Sequence, residues 1–299
     1  MAATAMVRIV MNTLIQILIS GLVTGAIYGM IAIGFTIVFN ATRIINFAHG
    51  EFAMVGGLIA AVLIDHRTPM AVALPCAILI AVLLGIVLER LTAAGRSRSV
   101  LSQAMVTIGV GIAYRGLASA LLDKDVHFSP PFGLLPTWTI GAVYIPAQGL
   151  WIISTLALLS IGLWVLFNRT LLGKAMSAAS ENPRAAELCA ISPAKMSMLA
   201  FSLAAGLGAV AGVEVAPMAS AYYQNGLFLG LKGFSAAVLG GINNPLGAIV
   251  GGLILGGVEN LSAGYIASAY KDAIAFTLLL ILLLVWPSGL LGRVDVKRV

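Results

Sequence analysis

A chain of 299 residues that is 60% hydrophobic and only 9% charged, with a mean hydropathy of +1.05, has too little polar surface to cover a soluble globule. Its net charge of +6 lies in short basic clusters between apolar runs, with no aromatic-interleaved basic face, which speaks against a nucleic-acid partner and fits topology charge at a membrane surface. Two cysteines, Cys76 in an apolar run and Cys189 in a polar loop, make neither a disulfide framework nor a metal site.

The first apolar run, Ile9–Phe39, holds 31 residues without a charge. A helical span needs about 20, so this run is too long for one crossing and too short for two, and one crossing plus a half-helix is expected. It continues well past the length of a signal-peptide core and ends in no clean cleavage site, so it is expected to stay attached. Gly21, Gly25 and Gly29 recur every four residues, a small-residue stripe that lets another helix approach closely, first of all within this chain. A similar block, Gly252–Asn260 (GLILGGVEN), reads as convergent small-residue packing before it reads as a distant duplication.

Asn40–Glu51 (NATRIINFAHGE) then interrupts the apolar pattern. Ionisable groups at membrane depth face a bundle interior or a wet cavity, so Asn46, His49 and Glu51 are expected to line a passage or to brace a broken helix. A lone His beside a lone Glu lacks the ligand count of a zinc site. Asp65–Pro69 is a turn, Met70–Leu88 a span, and Glu89–Ser99, with Arg90, Arg96 and Arg98, a cytoplasmic loop. Leu101–Leu122 spans again, with Arg115 near its far end and expected to snorkel to the interface. Asp123–Tyr144 reads as periplasmic, Trp138, Tyr144 and Trp151 as an aromatic belt, and Ile145–Phe167 as the return span.

Asn168–Lys195 is the one long polar interruption, with Arg169, Lys174, Arg184 and Lys195 against Glu181 and Glu187. Asn182 can cap a short helix that starts at Pro183, and Ser192 another that starts at Pro193. Ala185, Ala186 and Ala190 would give the first of these a small-residue face able to enter a partner's groove. Beyond it, Ser197–Ala216 spans, Pro217–Asn225 is a non-cytoplasmic loop, and Leu227–Ile242 is short and glycine-rich. After a turn at Asn243-Asn244-Pro245, Leu246–Ile266 spans with Glu259 and Asn260 inside it, and Ala273–Trp286 is the last span. Ten of the 17 basic residues fall in the three proposed cytoplasmic segments, the last being the tail with Arg293, Lys297 and Arg298. Nine crossings result, with a periplasmic N-terminus and a cytoplasmic C-terminus; a re-entrant Leu227–Ile242 would change the parity. The expected fold is all-α, a polytopic membrane protein of about 8–10 transmembrane helices, some broken or re-entrant. No phosphate loop, H-E-x-x-H or G-x-S-x-G element is present, so no enzyme, cofactor or metal is expected.

Three separated blocks resemble permease subunits of bacterial high-affinity branched-chain amino acid ABC importers. They are INFAHGE ending at Glu51, Gly173–Ile191 (GKAMSAASENPRAAELCAI) and Gly233–Gly247 (GFSAAVLGGINNPLG), and the likeness runs from about Ile9 to Gly292. Ala190 departs from the pattern at a position often held by Gly. The resemblance implies a single permease domain over residues 1–299 in the bacterial inner membrane, with residues 168–195 as its coupling loop. Gly173, Ala175, Glu181, Asn182, Pro183, Ala185, Ala186 and Glu187 would then carry the coupling to ATPases. It also implies a second homologous permease, two ATP-binding subunits and a periplasmic or lipid-anchored solute-binding protein as partners, and branched-chain or related small amino acids as substrate. The alternative is an ion-coupled secondary transporter that uses Glu51, Glu214 and Glu259.

Overall fold

The computed structural model describes residues 2–94, 99–122, 124–132, 137–140, 142–286 and 288–292. Arg96, Arg98 and the basic tail residues Arg293, Lys297 and Arg298 lie outside the described residues. Eleven helices in chain order make up almost all of the rest: α1 (Ala2–Thr42), α2 (His49–Asp65), α3 (Met70–Ala94), α4 (Val100–Leu121), α5 (Ala147–Arg169), α6 (Leu171–Glu181), α7 (Pro183–Leu188), α8 (Pro193–Val215), α9 (Asn225–Gly240), α10 (Pro245–Tyr265) and α11 (Lys271–Val285). One small hairpin, β1 (Trp138–Ile140) with β2 (Val143–Ile145), precedes α5 and pairs Trp138 with Ile145. Among the described residues, seven helices are long and apolar enough to cross a membrane: α1, α3, α4, α5, α8, α10, and α11 with the turn before it. The chain is therefore a multi-pass, all-α membrane protein.

The interior is built by backbones that touch. α1 runs antiparallel to α10, with Gly21 opposite Gly257, Gly25 opposite Leu253 and Gly29 opposite Ile249. A Cβ at Gly25 would come within 2.7 Å of the Leu253 Cα, a distance real Cβ atoms do not adopt. The two look-alike glycine blocks thus face each other, and the expected close packing within this chain is what the stripe does. In lipid, helix association rests on such van der Waals contact, because no water is released between apolar surfaces. The first run is a single unbroken helix, not a crossing plus a half-helix. Its 41 residues, about 60 Å at 1.5 Å per residue, simply exceed the bilayer, and its glycines sit under α10 instead of bending.

The break comes after Thr42, where Arg43 takes φ 59°, a left-handed conformation uncommon for a non-glycine residue. From there the chain re-enters and α2 starts part-way down α1, with His49 beside Gly34. α2 has only 17 residues and is buried from His49 to Ala61, clasped by α8 and α3; a Cβ at Gly57 would come within 2.7 Å of the Gly212 carbonyl oxygen. α9 is equally short, at 16 residues, and its first turns lie against the start of α2 through Gly226 and Gly230 opposite Gly50. α2 is enclosed from His49 to Ala61, so the irregular backbone before it is covered by protein, while α9 leaves Leu227, Phe228 and Leu231 exposed on its first two turns.

Asn40 Nδ2 donates to the Asn243 carbonyl (3.1 Å), and Leu290 and Leu291 donate to the carbonyls of Leu239 and Gly240. The ends of α1, α9 and α11 and the start of α10 therefore share one face of the bundle with α6. At the opposite face His127 bridges to Ala221 through two backbone bonds and holds Asp65 at 2.7 Å.

Gly25→Val should push α1 off α10 and lower stability by about 1–3 kcal/mol, the usual penalty of overpacking. Gly162→Ala, with open space around it inside α5, should raise stability by up to about 1 kcal/mol; thermal unfolding of the detergent-purified protein checks both.

Candidate functional site

The re-entrant segment is braced residue by residue. Phe47 N donates to Thr107 Oγ1 (3.2 Å) and Ala48 N to Asn46 Oδ1 (3.0 Å), so the backbone freed by the break is met by side chains. His49 is fully buried, with Nε2 bonded to the Ile31 carbonyl (3.0 Å) and its ring held edge-on to Phe35. That bond fixes Nε2–H as the donor. Glu51 pairs with Arg115 on α4, which points inward to the carboxylate and does not snorkel away from it as the sequence suggested. A carboxylate at membrane depth is a stronger attraction for the guanidinium than the interface is. Asn46 Nδ2, His49 Nδ1, Glu51 Oε2 and Arg115 Nε are buried and unpaired, and Glu51 and Arg115 both line a cavity of about 320 Å³ between α4 and α9.

Glu259 stands apart in a second cluster. Its Oε2 accepts from Tyr28 Oη (2.8 Å) and its Oε1 from Lys232 Nζ (2.7 Å), and Lys232 also meets Asp272 at 2.8 Å. Asn260 beside it donates to the Gly256 carbonyl (2.9 Å), and both line a cavity of about 440 Å³. A third carboxylate, Glu214, accepts from Thr155 Oγ1 (2.7 Å) and Gln148 Nε2 (3.2 Å). The five polar positions singled out in the sequence, four of them buried and Asn260 half-buried, therefore divide into two sites. Arg115, expected at the interface, completes the first site, and Lys232 and Tyr28 complete the second, for which a lone Lys in the apolar run Leu227–Ile242 is the sequence signal.

In the polar loop the helix starts fall where expected: Asn182 Oδ1 accepts from Ala185 N (3.1 Å) and Ser192 Oγ from Lys195 N (3.5 Å). Gly173 is buried because α6 turns tightly onto the end of α5, where any Cβ would strike the Leu166 carbonyl. Met176 and Ala179 bury the inner face of α6, while Ala175 is half-buried. Glu181, Asn182, Pro183, Ala185 and Glu187 are exposed. The three alanines do not form one outward face: Ala186 is 4% exposed and packs into its own chain, and Ala190 sits in the turn at φ 60°. A six-residue helix resting on a bundle must bury one side, and Ala186 is on it. What projects is Leu188, 91% exposed, with Leu171 at 85%.

Residues 17–283 match the family described as the branched-chain amino acid transport system permease component. The chain is 33% identical to the high-affinity branched-chain amino acid transport system permease protein LivH of Escherichia coli (strain K12), over 95% of this chain and 97% of that one. This chain belongs to the branched-chain amino acid transport permease family. Its permease relatives include BraD of Pseudomonas aeruginosa, 32% identical over 95% of this chain and 98% of that protein. The ribose import permease protein RbsC of Escherichia coli (strain K12) is 25% identical over 87% and 82%. Among solved structures, PsaBC from Streptococcus pneumoniae in complex with Fab overlays with a TM-score of 0.44 at 14% identity, covering 93% of this chain and 92% of that one. As a permease component the chain works as part of a transport system, and its buried charges are read in that light.

Glu259→Leu should strand Lys232 with only the half-exposed Asp272 and destabilise the permease by about 3–5 kcal/mol, as breaking a buried pair does. Glu259→Leu with Lys232→Met should recover most of the loss, and equal unfolding temperatures for single and double variants would refute the pairing. Ala190→Gly should gain about 0.5–1 kcal/mol by removing the left-handed strain, read as a rise in the same transition.

Proposed function

We propose that this permease forms, with a second homologous permease, the membrane passage of an ATP-driven importer for branched-chain or related small amino acids. Two ATP-binding subunits drive it and a periplasmic or lipid-anchored binding protein delivers the substrate. Residues 168–195 are its coupling loop, lying with the C-terminal segment on the cytoplasmic side of the inner membrane. The observation that carries the reading is Leu188, a large apolar side chain held out in full solvent on a capped helix whose other side is anchored by Ala186. An isolated exposed leucine is ordinary, but one at the tip of a folded loop in a transport-system permease is a knob for a partner's groove. The Ala186 side anchors the helix, and Ala185, Pro183 and Glu187 frame the knob. Basic residues along the loop, Arg169, Lys174, Arg184 and Lys195, support the cytoplasmic orientation.

An ion-coupled mechanism fits less well. Each of Glu51, Glu214 and Glu259 is already engaged by a hydrogen-bonding or charged partner, and the relatives are named as permease components of transport systems.

Leu188→Asp should leave the permease inserted and abundant while uptake and co-purification of the ATPase subunits fall together by at least about tenfold, the cost of a lost apolar anchor. Arg184→Ala should be mild, since an exposed charge is worth about 0–1 kcal/mol. A Leu188→Asp complex that still holds its ATPases and transports normally would remove the loop from the mechanism.

A further inference from the structure

The cavity between α4 and α9 carries a chemical signature that the Glu259 cavity lacks. Its one buried acid and its one cation face each other, and each keeps an unused hydrogen-bonding atom: Glu51 Oε2 and Arg115 Nε are buried with no hydrogen-bond partner. Glu259, by contrast, has both oxygens occupied. Buried polar atoms are almost always paired, so two orphans of opposite sign on one ion pair call for an explanation. The rest of the wall is apolar: Phe35, Phe47, Phe234, Ile112 and Leu231. At about 320 Å³ the cavity is at the small end of ligand pockets, which run from roughly 300 to 1,000 Å³. It opens where the first turns of α2 and α9 meet, and neither helix has a side-chain hydrogen-bonded cap at Ala48 or Gln224. A positive helix end favours a carboxylate nearby; α2 has Glu51 in its own first turn, whereas α9 has no acid in its first turn. Gly226 lets Glu51 Oε2 sit against the α9 backbone, since a Cβ there would collide with that oxygen.

We propose that this cavity is the subsite through which an amino-acid zwitterion passes, an inference that rests on the amino-acid reading of the permease. Arg115 and the start of α9 meet the α-carboxylate, Glu51 Oε2 accepts from the α-ammonium, and the aromatic and aliphatic wall takes a branched side chain. A substrate with one charge leaves one member of the pair unmet, so selection is for the zwitterion. Because the Glu51–Arg115 pair persists when the site is empty, neither charge is left alone between transport events.

The test is photolabelling of the full-length permease in lipid nanodiscs with a diazirine-bearing leucine, the labelled residues being mapped by mass spectrometry. Label should fall on α4 and α9 near Ile112 and Leu231. Leucine should compete at least about tenfold better than isocaproate, which lacks the ammonium, or isoamylamine, which lacks the carboxylate, as expected for losing a hydrogen bond to a charged group. Glu51→Gln, which keeps an acceptor for Arg115, should erase the preference over isocaproate. Ile112→Trp, which fills the mouth without touching a charge, should abolish the label. The double exchange Glu51→Arg with Arg115→Glu should restore abundance but not labelling, whereas a purely structural pair would restore both. Leucine uptake by the assembled importer is measured alongside. Uptake by the wild type with label elsewhere, or with unchanged competition in Glu51→Gln, overturns the site and leaves the transport reading standing. No leucine uptake at all overturns that reading and the site with it.

Discussion

A peptide group in hydrocarbon has no water to bond to, and this chain nevertheless stops one helix at Thr42 and starts another at His49 within the bundle. Everything else follows from making that interruption tolerable. Side chains of Thr107 and Asn46 take up the freed backbone donors, and His49 is spent on the Ile31 carbonyl of α1. Glycines then let α8 and α9 close over α2 until no part of its first three turns is exposed.

α9 is where these constraints meet. Its first turns press on Gly50 and Glu51, its middle carries Lys232 to Glu259 and Asp272, and its last carbonyls, Leu239 and Gly240, accept from the C-terminal segment. Gly241 closes it at φ 107°, a conformation open to glycine and costly for other residues. α6 of the polar loop packs on α1, and α1 holds both Tyr28 of the Glu259 cluster and Ile31 under His49. α1 therefore links the loop through packed contacts to Tyr28 of one buried cluster and to His49 beside the other.

How much of this was legible depends on the range of the interaction. Caps are local, and Asn182 and Ser192 each start the helix their sequence announces, while Asn244, expected in a turn, caps α10. The interruption at Asn40–Glu51 was legible because polar residues at membrane depth have few alternatives. The loop helix was legible, but which of its sides is buried was not, since six residues carry too little periodicity to distinguish Ala186 from Leu188. Arg115 was misread for a different reason: its partner lies 64 residues away, and no spacing rule reaches that far. The unbroken α1 was missed because length alone cannot tell a bent helix from one that overhangs the bilayer.

The central claim is that a passage runs along the meeting point of α2, α4 and α9 and responds to the loop. Cysteine accessibility in the assembled importer tests it most directly, with Cys76 and Cys189 first replaced by serine. Single cysteines at Ile112, Leu227 and Phe234 should react with a membrane-impermeant thiol reagent at rates that change by several-fold between nucleotide-free and ATP-trapped states. Those rates should fall when leucine is present, and Leu158→Cys, on the outward face of α5, should stay unreactive throughout. Reactivity at the three positions that is as low and as constant as at Leu158 would mean that they face lipid and that the passage lies elsewhere.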